Sequence, residues 1–408
     1  MSIAFEAWYL TNMYKYYSIR MNKIENMIRN SLSNEPHTIS VWEESYYGHR
    51  DVIIVGGGLS GLWTAWNLKN EYPHLNILII ERGNIPTGAS TRNAGFACFG
   101  SPSEIISDMS TMGDEVWSLI EMRYKGIQKM RKVLGDGLIG YSPCGGYECF
   151  DDSLKVNPVL CMLGDINRKM REITGTDQTF TIVDKSDNLG LSGFDKLIKN
   201  KFEGSLHSGR LVSALTQRVL SLGVTIINNT ELVTFEENNN WVVVHTNRGD
   251  FKSFRLILCT NAFTRYITDS VTITPARGQI LLTGPIENLK LDGTFHYNEG
   301  FIYFRNLGNR VMLGGARDED FETEKTTQFG TTEKVQRVLE KFLSCHILKG
   351  GKYTIEKRWS GIMGFTENKK PALHISPSGN VFTIADCNGM GVAMTPIYTE
   401  NVAKEMFS

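Results

Sequence analysis

The sequence predicts an α/β fold of two domains, one of them Rossmann-like. Three observations carry this. A β-branched run, Asp51–Val55, passes directly into Gly56-Gly57-Gly58-Leu59-Ser60-Gly61, which fits G-x-G-x-x-G. A second apolar run, Asn76–Ile80, ends on the acid Glu81. The chain has 408 residues, more than one hydrophobic core normally serves.

Taken in order, residues 1–44 read as an N-terminal extension rich in tyrosine. Glu6 and the lack of an apolar stretch before a small-residue cleavage site argue against a signal peptide. Met21 is an alternative start, which would make the aromatic stretch before it an upstream extension. Asp51–Val55 then reads as a buried parallel strand. Gly56 permits the tight turn off it, Gly58 lets a pyrophosphate approach the backbone, and Gly61 lets the next helix pack close. That helix, Leu62–Lys69, carries Leu62, Ala65, Trp66 and Leu68 on an apolar face. Its unpaired N–H groups suit phosphates. Glu81 closes the second strand, where a carboxylate binds ribose hydroxyls and disfavours a 2′-phosphate.

Arg82 follows, and then the loop Gly88-Ala89-Ser90-Thr91-Arg92-Asn93-Ala94-Gly95. It is small, polar and bracketed by glycines, suited to wrapping an extended ligand with backbone N–H groups and the Arg92 and Asn93 side chains. Gly145-Gly146-Tyr147-Glu148 reads as a hairpin. Leu206-His207-Ser208-Gly209-Arg210 opens a helix through Leu220, with His207 a structural residue at its start. Strands are expected at 224–227 and 241–245, then at Leu256–Leu258, ending in Cys259-Thr260-Asn261-Ala262. Further strands run from Pro275-Ala276-Arg277-Gly278-Gln279 through Leu282, over Phe301–Arg305 and over Arg310–Gly315. Tyr303 and Arg305 share one face of theirs, and Phe304 takes the other. Arg358–Phe365, Asn380–Ala385 and Asn388–Ala393 lead to a final helix near Phe407, with Thr395 and Pro396 fitting its N-cap and first turn.

Composition narrows the partners. Hydrophobic residues make up 41% and charged residues 21%, with a formal net charge of −1. No global basic field exists for nucleic acid or an anionic membrane. No run of about 18 apolar residues is long enough to span a bilayer. The seven cysteines are odd in number and scattered, which fits reduced thiols in a cytoplasmic protein; no disulfide framework and no metal site are expected.

The order of strand, glycines, acid-Arg and G-A-S-x-R-N-x-G resembles the D-amino-acid oxidase superfamily of FAD oxidoreductases, nearest in look to the glycine oxidase and glutamylputrescine oxidase branch. The resemblance runs from about Asp51 to the C-terminus. It implies FAD as cofactor and a Rossmann-like FAD-binding domain that is discontinuous in sequence, over 45–110, 203–272 and 353–408. An α+β substrate domain, mainly antiparallel sheet, would occupy 111–202 and 273–352. It also implies that Val233 lies by the adenine and Thr260-Asn261-Ala262 by the cofactor. Gly361 and Asn388-Gly389-Met390-Gly391-Val392 would close on the flavin. Members with covalent flavin use a His or Cys where this chain has Arg92 and the Trp359–Ser360 neighbourhood, so non-covalent binding is implied. A family arginine for the substrate carboxylate falls at Met363, and two family lysines fall near Met312 and Ala393.

Arg305 and Arg277 are the cations left nearby. Arg305, Tyr303, Met363 and Gln279 are therefore the expected substrate-binding residues, with Tyr297 a weaker candidate. No catalytic residue is named. The reading is oxidation of a C–N bond of a small amine or amino acid to an imine, by hydride transfer to flavin N5, with O2 as electron acceptor. A dehydrogenase of the same substrates using a quinone or protein acceptor is the second reading. A non-catalytic flavoprotein acting in binding or assembly is the third.

Overall fold

Apolar residues on both faces make Val52–Val55 a strand between two cores. Val52 and Ile54 pack with Leu62, Trp63 and Leu68 of the following helix, while Ile53 and Val55 pack with Leu78, Ile80 and Leu256 on the other side. The computed structural model describes residues 40–42, 49–183, 186–367, 369–385 and 387–407. The chain divides into two units, Met1–His49 and Arg50–Ser408. In the first, Ser40, Val41 and Trp42 are exposed, and most of the expected extension, Met21 included, lies outside the described residues.

Within Arg50–Ser408, the first sheet has eight strands. Its path runs Ala372–Ile375, Val381–Ala385, Gly249–Leu258, His49–Val55, Ile77–Ile80, Thr225–Ile227, with Leu232–Glu237 and Val242–Thr246 attached through Gly249–Leu258. The pairs of His49–Val55 with Ile77–Ile80, Ile77–Ile80 with Thr225–Ile227, and Gly249–Leu258 with Val381–Ala385 are parallel. The sheet is therefore assembled from three separated stretches of chain.

The second sheet also has eight strands, in the order Ile355–Phe365, Thr274–Thr283, Arg310–Gly315, Ile302–Leu307, Thr294–Tyr297, Gly146–Phe150, Lys196–Asn200, Phe180–Val183. All its pairs are antiparallel except Thr294–Tyr297 with Gly146–Phe150. One face is a ladder of rings: Tyr147 stacks on Phe295 and Phe295 on Phe304, with Phe342 closing against Phe304. Phe304 thus faces this core, and Tyr303 and Arg305 face the other way, as strand alternation predicts.

Four expectations are corrected. Gly146–Phe150 is an inner strand, not half of a hairpin, because both its edges are paired. Trp359–Phe365 pairs along Thr274–Thr283 in the second sheet, although its segment was assigned to the cofactor domain. Helix Glu115–Leu134, assigned to the substrate domain, packs its buried face into the core that also holds the helix Leu59–Glu71. The final helix runs Gly391–Glu405, so Thr395 and Pro396 lie inside it. Pro396 has no N–H to lose from a helix bond, and its neighbour Thr395 returns its hydroxyl to Gly391 O at 2.7 Å.

Candidate functional site

The glycine turn is as tight as its residues demand. Gly56 has φ +110°, and a Cβ there would lie 2.6 Å from Cys259 O. A Cβ on Gly61 would run into Gly56 O, so only glycine lets the helix sit this close to the strand. Helix Leu59–Glu71 has no side-chain cap and no acid in its first turn. Leu59 N is taken by Ser90 Oγ at 2.9 Å, which ties the glycine turn to the 88–95 loop. Glu81 is buried; its carboxylate accepts Gly57 N and Gly83 N, both at 2.9 Å. Arg82 stacks on Phe263, 4.0 Å from the ring centroid.

A cavity opens from this turn to the second sheet. Leu59, Ala89, Ser90, Arg92, Asn93 and Ala94 form part of its lining. Asn261, Gly361 and Asn388 through Ala393 form another part, and Gly278, Ile280, Tyr303, Met363 and Arg317 a third. Fifteen of the expected residues thus come together on one wall system, drawn from both sheets. The helix Gly391–Glu405 begins on this cavity, again with no side-chain cap and no first-turn acid. Asn388 has φ +41°; its Oδ1 accepts Thr366 N at 2.8 Å, while its buried Nδ2 has no partner among the described residues. Two helix starts without first-turn acids and an orphaned amide donor on one cavity fit a phosphate-bearing, heterocyclic dinucleotide.

Other expected residues lie elsewhere. Val233 is 68% exposed and Ala262 fully buried; neither borders the cavity. Thr260 bonds Thr264. Arg92 and Asn93 hold the loop itself rather than reaching out. Arg92 donates to Thr87 O and Ser360 O, and Asn93 bonds Ala89, Ser90, Gly95 and Ser208. Trp359 Nε1 donates to Arg92 O at 3.0 Å, joining the loop to the second sheet. His207 caps its helix through Nδ1, as expected.

Gln279 and Arg305 are not placed to meet a substrate. Gln279 lies one residue out of phase with Gly278 and Ile280, so it faces the opposite side and bonds Glu324, Thr332 and Gln336. Arg277, on the same side as Gln279, makes a paired bond to Glu324 at 2.9 and 2.7 Å. Arg305 shares the face of Tyr303 but is buried, and its Nη1 donates to Gly95 O at 2.7 Å and Leu206 O at 3.0 Å. It clamps the end of the 88–95 loop. Tyr297 bonds Asp151 at 2.8 Å, away from the cavity.

Sequence reasoning missed Arg317. It follows Gly315 (φ +110°) and Ala316 (φ +56°), a backbone reversal that turns it from strand end into the cavity. Its guanidinium lies over Phe301, Phe321 and Phe365 at 5.1, 5.3 and 4.7 Å, and has no hydrogen-bond or ion-pair partner among the described residues. Burial lowers its pKa, opposed by Tyr303 and Asp318, but an arginine keeps its charge. Burial pushes the Tyr303 hydroxyl up to about 12, so it stays protonated. The signal for Arg317 was the Gly-Gly-Ala run before it, which reads as a strand terminus.

Among the described residues no helix is long and apolar enough to cross a membrane. Known proteins resemble this chain in sequence and in fold. The chain is 23% identical over 382 residues to the probable oxidoreductase OrdL of Haemophilus influenzae, covering 87% of this chain and 82% of that protein. It is 22% identical over 355 residues to the sarcosine oxidase subunit beta of Rhizobium meliloti, covering 85% and 82%. In fold it is similar to the L-proline dehydrogenase of P. horikoshii (TM-score 0.72, 19% identity, 88% and 93% covered). It is similar in the same way to the glycine oxidase of Geobacillus kaustophilus (TM-score 0.71, 20% identity, 88% and 94% covered). The profile of the DAO family, described as FAD dependent oxidoreductase, matches residues 51–404, and the chain belongs to that family.

Proposed function

We propose that this chain oxidises the C–N bond of a small amino acid to an imine, with FAD held non-covalently along the glycine turn, the 88–95 loop and residues 388–392. FAD, when bound, accepts the substrate's Cα hydride at flavin N5. The observation that carries the substrate class is Arg317, a charged and unpaired guanidinium on the cavity wall. It can give a carboxylate two parallel N–H bonds. Phe301, Phe321 and Phe365 hold the plane of the guanidinium and shield it from water. Tyr303 offers a hydroxyl donor beside it, and Met363 and Ile280 supply apolar wall. The imine leaves for water and hydrolyses there.

O2 is the acceptor in the first reading. The second reading, a quinone or protein acceptor, draws support from Met312 and Ala393, which are apolar and buried where the family's lysines were sought. An odd number of scattered cysteines fits a reducing compartment and favours the cytoplasm. The test is anaerobic mixing of the yellow protein with a panel of amino acids and simple amines. Bleaching of the flavin by amino acids, faster than by the amines lacking a carboxylate, is expected. Peroxide release on admitting air identifies the oxidase; its absence with full reduction identifies the dehydrogenase. No bleaching by any amino acid overturns the reading. Flavin that stays with protein after acid denaturation overturns non-covalent binding.

A further inference from the structure

One polar group on the cavity wall has no task in the reading above. His296 is 6% exposed, lines the cavity, and is the direct strand partner of Tyr303. One row of the second sheet runs Glu148, His296, Tyr303, Gly314, Ile280, Trp359, all on the face toward the cavity. Phe96, at the exit of the 88–95 loop, meets both His296 and Tyr303 edge-on, at 5.4 and 5.9 Å between ring centroids. The Nε2 of His296 bonds Glu203 Oε2 at 3.0 Å, and Glu203 is 1% exposed. Glu203 is held in turn by Asn200 and Thr294. The other ring nitrogen, Nδ1, has no hydrogen-bond partner among the described residues.

A buried carboxylate–imidazole pair on a cavity wall is a poor way to stabilise a sheet. Desolvation of the pair offsets most of its attraction, and an apolar pair of the same volume would pack as well. The arrangement does one thing an apolar pair cannot. With Nε2–H donated to Glu203, Nδ1 carries the lone pair on a ring that lines the cavity next to Tyr303.

We propose that His296 is the base that takes a proton from the substrate ammonium before oxidation, with Glu203 as its positioning residue. This rests on the amino-acid reading. An amino acid arrives as R–CH(NH3+)–COO−, and a nitrogen without a lone pair cannot assist loss of the Cα hydride. One ammonium N–H bond breaks, its electron pair stays on nitrogen, and the proton forms a new N–H bond at His296 Nδ1. The imidazolium is offset by the Glu203 carboxylate. FAD, when bound, would supply the two-electron oxidant for the Cα–H pair; the nitrogen lone pair then forms the C=N bond of a protonated imine, which gives up its extra proton to water. Arg317 takes the carboxylate end, and Tyr303 neighbours both groups. The charged groups facing His296 are Glu203, Glu148 on the adjoining strand and Glu104 on helix Pro102–Met112, with the Cys98 thiol nearby. Burial pulls the imidazole down, but Glu203, Glu104 and Glu148 outweigh it, so the net shift is upward. Proton transfer from the ammonium is therefore fully available only above neutral pH.

The test uses the FAD-bound full chain and its His296→Gln variant, whose amide can still donate to Glu203. Flavin reduction by the fastest amino acid of the panel is followed anaerobically from pH 6 to 10. The variant is expected to lose about 100-fold in reduction rate near pH 7, the low end for general base catalysis. It should gain about tenfold per pH unit toward the amine's own pKa and approach the wild type at high pH. An equal loss at every pH marks a structural role and overturns the proposal, as does an unchanged profile. A second measurement does not depend on turnover. α-Aminoisobutyrate has no Cα hydrogen and cannot be oxidised by this route. Added at pH 8 to protein with 15N-labelled histidine, it should shift the His296 Nδ1 signal to that of a nitrogen accepting a hydrogen bond from the bound ammonium, and a signal that does not move would overturn the assignment. If no amino acid bleaches the wild type, the oxidoreductase reading falls and takes this one with it; bleaching with an unmoved variant profile removes His296 alone.

Discussion

The roles of Arg317 and Arg305 come apart at the level of single side chains. Both are arginines at the second sheet, yet one is unpaired on the cavity and the other is bonded to two backbone carbonyls. Arg317→Met is expected to weaken carboxylate-bearing substrates by about 1.5–3 kcal/mol, the range for charged hydrogen bonds, and to leave carboxylate-free amines unaffected. Substrate concentration series for flavin reduction in both proteins check this. Arg305→Met should act differently. It strands Leu206 O, at about 1–3 kcal/mol when left buried without a donor, while Gly95 O keeps the Leu206 N–H. The expected result is weaker FAD retention and a lower Tm, with the ranking of substrates unchanged. Sequence alternation placed Arg305 on the correct face, but it could not show that the 88–95 loop lies across that face. Gln279 was misplaced by a single step of the same alternation, since Gly278 and Ile280 are the cavity residues of that strand. His296 and Glu203 are 93 positions apart and meet only through sheet pairing, so no local pattern could join them.

At the scale of elements, glycine contacts set the distances between helices and sheets. Gly56 and Gly61 were legible because the turn they make is local. Gly126 was not, because its partner is far away in sequence: a Cβ there would press into Ala393 O at the start of the final helix. Helix Glu115–Leu134 therefore touches, backbone to backbone, the turn that closes the cavity. Gly126→Ala should force these helices apart at a cost of about 1–3 kcal/mol, the range for overpacking. Tm and FAD dissociation should both worsen, and an unchanged FAD affinity would show that the two helices yield without disturbing residues 388–392. The interior Pro396 escaped sequence reasoning for a related reason. Proline reads as a helix start, but here the helix begins on Gly391, whose carbonyl takes the Thr395 hydroxyl.

Across the whole molecule, Glu148 is the acid in which ionisation most plainly opposes folding. Burial raises the Glu148 carboxyl to about 7, against the pull of hydrogen bonds from Ser103 and Ser101. In the unfolded chain it titrates near 4.5. Between these values the folded protein holds a proton that the unfolded chain has released, so stability falls as pH rises from about 4.5 through 7 and then levels off. Glu148→Gln keeps an oxygen for the Ser101 and Ser103 hydroxyls, gives up the acceptor for Ser103 N, and removes this slope. Denaturant unfolding from pH 4.5 to 8 should show the wild type losing about 3 kcal/mol more than the variant. Parallel loss in both proteins would mean that Glu148 ionises normally. The division into two sheets was legible from the family order, while the assignment of Trp359–Phe365 was not, since a strand that leaves one lobe to pair in the other bears no mark of it. The assembly of the first sheet from distant stretches also bears on how the chain is made. Val381–Ala385 pairs beside Leu256–Leu258, and Asn67 of the first helix is held by Pro396 O and Thr399 of the last. About 300 residues lie between Ile80 and Val381, so at roughly 5–20 residues per second the first strands wait on the order of 15–60 s on the ribosome for their partners. During that interval the apolar helix face of Leu62, Trp63 and Leu68 has no final helix to cover it. The emerging polypeptide is thus a client for chaperones, and a message truncated before Val381 yields a product for the protease rather than a half-built flavoprotein.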